Sequence, residues 1–313
     1  DFGCGLMDEY LGANFVWFFG VVEDRNDPLK MGRVRVRCYY WHTEDKGKLP
    51  TEELPWAQVT TPITNAAMGD VGQTPLGLVE GTWVMGFFMD GEVAQKPMIL
   101  SSIPGIPFEQ PPTQQGFSDP NGVYPKRVGE PDVNRLARNQ EDYLPTNLAI
   151  KDQGRTTNVA DASGGLWSEP ASAYNATYPK NHVYESERGH IFEVDDTEGS
   201  ERIHQYHRSG TFFEIDKDGN KVTRVVGDNY EIIAGSNYVN VKGSANLTVD
   251  ETLNIKAKTI NIEAETINET ATTGNVTYNN GEITVGGITQ TQHTHTDTAG
   301  LAAGTTSTPN SGT

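Results

Sequence analysis

Three consecutive seven-residue units, LNIKAKT, INIEAET and INETATT, occupy residues 253–273 and decide the fold. In the first two units, positions one, three and five are apolar, and the other positions hold Asn, Lys, Glu and Thr. Before them the repeat is eight residues long, with Gly227, Gly235 and Gly243 at equal spacing. Apolar residues that alternate by two indicate short β-strands. A coiled coil needs apolar positions three and four residues apart, so this repeat does not predict one.

Units of seven or eight residues are too short for one chain to close a coil of a β-helix by itself. Each unit would cover one side of the coil and leave its apolar face and strand edges open. The repeat therefore predicts that several chains wind together, and three chains would form a triangular prism. Six apolar side chains are then expected to point inward: Leu253, Ile255, Ala257, Ile260, Ile262 and Ala264. Stacked rungs would place opposite charges above one another, Lys256 over Glu263 and Lys258 over Glu265. The shorter repeat would narrow the prism towards its C-terminal end.

The composition limits the classes of function. The 313 residues carry a formal net charge of −18, and 35% of them are apolar, with 33 Gly and 17 Pro. Nucleic-acid binding needs a basic surface, so we do not expect nucleic acid as a ligand. The longest apolar stretch, residues 15–22, is too short to span a bilayer, and we expect no N-terminal targeting signal. Cys4 and Cys38 are interpreted as reduced structural thiols.

Residues 15–105 alternate strand-like runs with turn clusters. The clearest run, GRVRVRCYYW at residues 32–41, alternates apolar residues with arginine, as a half-buried strand does. Five or six short strands within roughly ninety residues predict a small closed barrel of the OB-fold type. The alternating arginines are interpreted as a solvated strand face or as a contact to a partner protein: Arg33, Arg35 and Arg37.

Residues 106–181 show no sustained periodicity and are rich in Pro, Gly, Ser and Asn, which predicts an extended connector along the surface. Only Pro131–Leu144 has the pattern of a short helix. Such a polar, proline-interrupted segment is not expected to supply the core of a lysozyme domain. A glycosidase needs two carboxylates across a cleft, and no cleft is predicted here. The available carboxylates are interpreted as solvated acids: Glu130, Glu141 and Asp142.

Strand patterns return at residues 182–224. The runs HIFEVDD, ERIHQYH, TFFEIDKDGN and KVTRVV are separated by loops that contain hairpin turn residues. We therefore expect a strand-rich neck between the linker and the repeats. Asp195 and Asp196 are interpreted as turn residues rather than as a catalytic or calcium-binding pair.

Several segments resemble the central spike proteins of contractile phage tails. GVVEDRNDPLKMGRVRVRCYYWHT (residues 20–43) and residues 75–105 are similar to the two halves of the OB domain in that family, and residues 185–220 are similar to the region before its needle. The glycine octads are similar to the repeats of the family's intertwined β-helix. The resemblance implies an all-β chain in which an N-terminal OB-fold barrel is followed by a linker and a C-terminal trimeric, intertwined β-helix. The expected segments are an N-terminal arm (1–14), the OB-fold domain (15–105), the linker (106–181), the neck (182–224), the β-helix (225–290) and a metal-binding tip with a tail (291–313).

His293 and His295 lie in the sequence TQHTHTDTAG, residues 291–300. On a strand, the two side chains would point to the same side. If the prism extends to this point, three chains would present six imidazoles, an octahedral donor set that differs from the tetrahedral sites of zinc. The resemblance implies that the ion is iron and that its role is structural, whereas the donor set alone also allows nickel or cobalt. The alternative interpretation is that both histidines are exposed in a polar tail.

The resemblance implies a structural protein, not an enzyme, that perforates the host outer membrane when the tail sheath contracts. The expected partners are two further copies of the chain, a baseplate hub protein at the barrel end, and the outer membrane as the mechanical target. We expect assembly in the host cytoplasm and a final position in the virion, at the tip of the tail baseplate. The alternatives are the spike of a type VI secretion system or extracellular injection particle, and a polysaccharide-degrading tailspike. The short segment before residue 15 favours a separate phage spike, because secretion spikes usually carry a large hub domain before the barrel.

Overall fold

The computed structural model describes residues 16–140, 154–161, 164–270, 273, 284–285 and 288–289. The chain divides into two compact units, Asp1–Thr248 and Val249–Thr313. The first unit contains a β-barrel, an irregular linker and a second β-sheet. The helical segments in the described part are single 3₁₀ turns, and none is long and apolar enough to cross a membrane.

The first five strands close into a barrel. They are β1 (Trp17–Asp24), β2 (Val34–Cys38), β3 (Trp56–Val59), β4 (Trp83–Phe88) and β5 (Pro97–Ser102). Their order around the barrel is β1-β2-β3-β5-β4, and every pair is antiparallel except β3 with β5. Single 3₁₀ turns precede β3 and β5, at Thr51–Glu53 and Gly91–Val93. The closed barrel confirms the predicted OB-fold.

Alternate residues of the strands fill the barrel interior, as the period of two predicts. The buried cluster consists of Phe18, Val22, Val34, Val36, Cys38, Ala57, Val84, Phe88, Ala94 and Ile99. Gly86 has no side chain where β4 approaches β5, and an added Cβ would collide with the carbonyl of Met98 and the ring of Phe18. Burial raises the pKa of the Cys38 thiol, which therefore stays protonated and behaves as an apolar core group. Cys4 lies outside the described residues.

The prediction of a solvated arginine face on β2 was wrong. Arg33 forms an ion pair with Asp27 at 2.7 Å and lowers the pKa of that carboxyl group through this hydrogen bond. The guanidinium of Arg35 lies 4.4 Å from the ring centroid of Trp56, in cation–π contact. Arg37 is completely buried. The outer positions of β2 are therefore occupied by intramolecular contacts.

Arg37 and Glu23 form a buried ion pair between β2 and β1. The guanidinium donates from Nε to Glu23 Oε1 at 2.7 Å and from Nη2 to Oε2 at 3.1 Å. The hydroxyl of Thr51 and the backbone N–H of Phe117 also donate to this carboxylate, each at 2.7 Å. Phe117 belongs to the linker, so the linker completes the hydrogen bonding of a buried charge on the outer side of the barrel wall. Gly116 is needed beside it, because an added Cβ would collide with the Arg37 side chain.

The described part of the linker has little regular structure. Its described part contains the short hairpin β6 (Val159–Ala160) with β7 (Leu166–Trp167) and a 3₁₀ turn at Leu136–Arg138. The helix predicted over residues 131–144 was therefore wrong for residues 131–140. The turn ends at Asn139, which adopts a left-handed conformation with φ of 52° and does not continue a helix. Glu141 and Asp142 lie outside the described residues.

The second sheet is an antiparallel meander in the predicted neck region. Its strands are β8 (Asn181–Glu185), β9 (Ile191–Asp195), β10 (Arg202–Tyr206), β11 (Phe212–Ile215) and β12 (Lys221–Arg224), and each pairs with the next. Tight turns connect them, with a positive φ at Gly189, Gly199, Gly210 and Gly219. Glycine adopts this conformation without a steric penalty, so these turns agree with the hairpin residues in the sequence.

Residues 225–270, which contain the glycine octads and the first seven-residue units, form no strand in the single chain. Their apolar side chains are exposed, for example 69% of Ile255 and 71% of Ile262. A strand needs a paired edge, and the described part of one chain provides none for this segment. Further on, β13 (Thr284–Val285) pairs with β14 (Ile288–Thr289). The intertwined β-helix stays a prediction.

The substitution Arg37→Met tests the buried ion pair between β1 and β2. It would leave the Glu23 carboxylate buried without its counter-charge, and we expect a loss of about 3–5 kcal/mol in the free energy of unfolding. Urea denaturation followed by tryptophan fluorescence measures this change. Lys48→Met is the matched control, because the ion pair of Lys48 with Asp45 is exposed and its removal should cost less than about 0.5 kcal/mol. Equal losses in the two variants would contradict the assigned role of Arg37.

Candidate functional site

The linker covers one face of the sheet β8–β12, which we call the inner face. Side chains of the linker and of the sheet form one apolar cluster: Leu136, Tyr174, Ala176, Ile191, Tyr206 and Phe212. Within the linker, the hydroxyl of Tyr174 donates to the carbonyl of Leu136 at 2.7 Å, and the side-chain amide of Asn181 in β8 donates to the same carbonyl at 3.2 Å. Two distant parts of the linker are thereby joined to the first strand of the sheet.

An ionic network lies next to this apolar cluster on the inner face. Arg202 donates to Glu193 at 2.6 Å and to Glu214 at 2.7 Å. Nδ1 of His204 lies 3.1 Å from Glu193, and the side-chain amide of Asn181 donates to Glu193 at 2.7 Å. All five residues are at most 4% exposed. Burial opposes the ionisation of Glu193, but the hydrogen bond from His204 and the charge of Arg202 outweigh it and lower the pKa of Glu193.

The linker also supplies partners to these buried charges. The hydroxyl of Ser172 and the backbone N–H of Ala173 donate to Glu214 at 3.0 Å and 3.2 Å. The ring of Tyr174 packs against the guanidinium of Arg202, whose central carbon is 5.1 Å from the ring centroid. The sheet could not bury this face without the linker, because unpartnered buried charges are strongly unfavourable.

The barrel and the neck meet at a polar joint centred on Glu187, in the turn between β8 and β9. Arg25, at the end of β1, donates to both carboxylate oxygens of Glu187 at 2.8 Å. The hydroxyl of Tyr124 donates to the same carboxylate at 2.9 Å, and Lys126 donates to the Glu187 backbone carbonyl at 3.0 Å. Arg25 also pairs with Glu80 at 3.2 Å. The joint thus brings together the barrel, the linker and the neck.

The joint shifts the pKa values of its members. The hydrogen bonds from Arg25 and Tyr124 lower the pKa of Glu187 to about 2. Burial, together with the hydrogen bond to Glu187, raises the pKa of Tyr124 to about 12. At neutral pH, Glu187 is therefore an anion and Tyr124 is a neutral donor, as their hydrogen bond requires.

A cavity of about 760 Å³ lies between the barrel, the linker and β8, and several carboxylates line it. Glu130 is one of them, and it accepts hydrogen bonds from Arg135 and Arg138 rather than facing solvent alone as predicted. These arginines, Arg135 first, lower the pKa of Glu130 to about 2. The acid of a glycosidase requires a raised pKa, so Glu130 has the opposite electrostatic environment.

The two aspartates interpreted as turn residues have different environments. Asp195 is 2% exposed and accepts hydrogen bonds from the backbone N–H and the hydroxyl of Thr197, which stabilises the turn after β9. Asp196 is exposed and lies 3.7 Å from His182. Neither geometry resembles a pair of carboxylates that converge on one ligand.

The predicted metal ligands His293 and His295 lie outside the described residues. Within the part that the structure describes, no group of three or more His, Cys, Asp or Glu side chains could hold a metal ion. The β9–β10 hairpin does place His190 next to His207, with their ring centroids 4.5 Å apart. Sequence spacing missed this pair, because the two residues are 17 positions apart and only the hairpin register joins them.

Comparison with known proteins identifies relatives of this chain. Residues 40–184 match the family model described as the Gp5 N-terminal OB domain, a range that begins after β2 and ends within β8. Protein Gp5 of Vibrio phage KVP40 is 42% identical over 267 residues, which cover 75% of this chain and 63% of that protein. The pre-baseplate central spike protein Gp5 of Enterobacteria phage T4 is 43% identical over 157 residues, which cover 48% of this chain and 27% of that protein. The chain thus spans less than two thirds of either relative.

The pKa of Glu187 predicts how the joint depends on pH. A carboxyl group whose pKa falls on folding stabilises the fold above its ordinary pKa of 4.5, and this contribution is lost as the pH decreases to about 2. We expect Glu187→Gln to lower the free energy of unfolding by about 1 kcal/mol at pH 7, because the joint is partly exposed and solvent screens it. The difference from the wild type should vanish towards pH 2.

Thermal unfolding of both proteins across this pH range measures the effect. Glu198→Gln, in the exposed turn after β9, is the control and should leave the profile of the wild type unchanged. A difference between wild type and Glu187→Gln that stays constant down to pH 2 would contradict the assignment.

Proposed function

This chain is a relative of the phage Gp5 proteins, and we propose that it is the central spike of a contractile phage tail, located at the tip of the baseplate. The proposed role is to perforate the host outer membrane when the sheath contracts. The observation that carries the proposal is the segment 225–270, whose regularly repeated apolar side chains are exposed in the single chain. It follows a closed OB barrel and a β-meander, in the order expected for such a spike.

The spike is a homotrimer in this proposal. The apolar side chains of residues 225–270 are exposed to solvent in the single chain. If three chains wind together, each strand would have a neighbouring strand on both sides, and the apolar side chains would be buried in a common core. Removing this apolar surface from water favours assembly by roughly 25 cal/mol per Å² of buried area. Interwound chains cannot separate singly, so an axial load would be shared by three covalent backbones.

The proposed function is mechanical and not enzymatic. In the described residues, the carboxylates that could suggest hydrolysis are held by arginine or by turn hydrogen bonds, as Glu130 and Asp195 are. A rigid joint at Glu187 and a buried ionic network at Arg202 suit a part that must keep its shape under force. The alternative of a tailspike that degrades polysaccharide has no comparable support.

His293 and His295 are the proposed metal ligands at the tip of the needle. Six imidazole nitrogens from three chains suit an octahedral first-row metal ion, and iron is the ion that we propose. The ion would hold the three chains together at the narrow end, where little apolar surface remains. Its role is structural, because a complete set of six protein ligands leaves no open position for a substrate.

The proposed partners are a baseplate hub protein, which binds the barrel end, and the host outer membrane as the target. The barrel offers exposed aromatic side chains for a protein contact: Trp17, Phe19, Tyr39, Tyr40 and Trp83. The spike of a type VI secretion system or an extracellular injection particle would use the same architecture. We favour the phage tail because both relatives are phage proteins.

Native mass spectrometry of the full chain, without chelator, tests the trimer and the metal together. We expect three chains with one transition-metal ion, and we expect the ion to be lost in the variant His293→Ala/His295→Ala. His182→Ala is the control, because His182 is an exposed side chain of the neck, and this variant should keep the ion.

Other results would count against parts of this proposal. Three chains without metal would contradict the metal site and leave the spike intact. A monomer would contradict the interwound needle. Release of sugars from capsule or lipopolysaccharide by the purified protein would contradict a purely mechanical role.

A further inference from the structure

The sheet β8–β12 has an unusual distribution of polarity over its two faces. Its inner face buries the ionic network around Arg202 under the linker. Its opposite face, which we call the outer face, is largely apolar, and its apolar residues are Tyr184, Phe192, Val194, Ile203, Phe213 and Ile215. In an antiparallel sheet with one solvated face, the polar residues are expected on the solvated side. The outer face of this sheet therefore lacks the composition of a solvent-exposed surface.

The strand register makes the outer face continuous. Ile203 in β10 lies directly opposite Val194 in β9 and Ile215 in β11. One row further, Phe192 lies opposite Tyr184, and Gln205 separates Phe192 from Phe213. Directly opposed side chains on one face are within contact distance. The residues thus form one patch over four strands rather than isolated exposed side chains.

The described part of the chain leaves this patch partly open, with Val194, Phe213 and Ile215 half-buried. The exposed fractions are 67% for Tyr184, 44% for Phe192 and 43% for Ile203. The linker packs on the inner face, where Tyr174 contacts Arg202. A contiguous apolar patch of this kind on a soluble protein indicates a surface that binds a partner.

Charge identifies which partner fits. The chain carries a net charge of −18, so copies of it repel one another over most of their surface. The outward positions of the central strands β9, β10 and β11 carry no ionisable side chain. The charged or titratable residues His182 and Lys221 lie on the edge strands β8 and β12, and the ammonium of Lys221 lies 5.3 Å from the ring centroid of Phe213. An uncharged centre with a polar margin is the composition of a specific interface, and here it allows close approach of identical acidic chains.

Sequence continuity supports the same partner. β12 ends at Arg224, and the repeat segment with its exposed apolar side chains begins at the next residue. Val225 and Val226 are 39% and 54% exposed directly after the sheet. Chains that wind together from residue 225 onward must already lie side by side where β12 ends. The outer face is therefore held close to the other copies by the chain connection itself.

We infer that the outer face of the neck is an interface between copies of this chain, in which each copy contributes Phe192, Val194, Ile203, Phe213 and Ile215 to a shared apolar core around the three-fold axis. The inference rests on the proposed trimer and assigns it a second contact surface above the needle. In the trimer, both faces of the sheet would be buried. The linker covers the ionic inner face, and the other copies would cover the apolar outer face. The outer face of the neck sheet would thus be buried only in the assembled trimer.

Thiol labelling of the full chain tests the interface directly. In a Cys4→Ser background, Ile203→Cys places a thiol on the outer face, and Lys217→Cys places one in the exposed turn between β11 and β12. The native cysteine Cys38 is buried in the barrel. Under reducing pre-treatment and native conditions, we expect the thiol at position 203 to react with a maleimide about ten-fold more slowly than the thiol at 217, because a buried thiol reacts only when its surroundings open. In the isolated chain, position 203 is open enough to react at the control rate.

Native mass spectrometry of the same samples separates the possible outcomes. Slow labelling at position 203 in a trimer supports the inference. A trimer in which positions 203 and 217 react equally fast overturns the inference and leaves the proposed trimer standing. Slow labelling in a monomer also overturns the inference, because another segment of the same chain would then cover the face. A monomer with fast labelling contradicts the proposed trimer as well.

A charge variant provides a second measurement. Phe192→Glu/Ile203→Glu puts two like charges into the proposed core from each copy, and we expect the trimer to dissociate at a protein concentration at least about ten-fold higher than that of the wild type. Ile63→Glu is the matched control, because Ile63 is fully exposed in the barrel and its replacement should leave assembly unchanged. Unchanged assembly of the double variant would overturn the inference.

Discussion

A charge that leaves water needs hydrogen-bonding partners, and this constraint governs the course of the linker through the first unit. The buried ion pair of Glu23 with Arg37, on the outer side of the barrel wall, is completed by the backbone N–H of Phe117. The network around Arg202 in the neck is completed by Ser172 and Ala173. A segment without sustained periodicity is thereby held in place at both ends, because buried ionic groups would be unfavourable without it.

The linker consequently acts as a structural layer rather than as a flexible tether. It contributes Leu136 and Tyr174 to the apolar cluster of the neck and Tyr124 to the joint with Arg25 and Glu187. Barrel and neck are thus connected through directional hydrogen bonds between charged groups, which fix orientation more strictly than apolar contacts do. Such a connection suits the mechanical role that we propose.

The two faces of the neck sheet are stabilised by different contacts. The inner face pairs Arg202 with Glu193 and Glu214 within one chain. The outer face and the repeats after residue 225 keep apolar surface that one chain cannot cover in its described part. The sheet itself is held by ionic and apolar contacts on its inner face, whereas the proposed association of copies would use the exposed apolar surface.

The sequence by itself determined the elements that follow from local periodicity. The alternation in GRVRVRCYYW and the turn residues of the neck predicted strands that the structure contains, and the resemblance to phage spikes was confirmed by the relatives. Tertiary structure alone decided which polar residues are buried. The alternation of β2 predicts that Arg37 faces solvent. In the structure, Arg37 is buried in an ion pair with Glu23, and Phe117, 94 residues after Glu23, donates its backbone N–H to that carboxylate. The helix predicted after Pro131 gave way to a 3₁₀ turn that places Leu136 against the sheet, and the hairpin register joined His190 to His207. The physical reason is that periodicity reports which side of a strand each residue occupies, whereas burial depends on what covers that side, and here the cover comes from residues far away in the sequence.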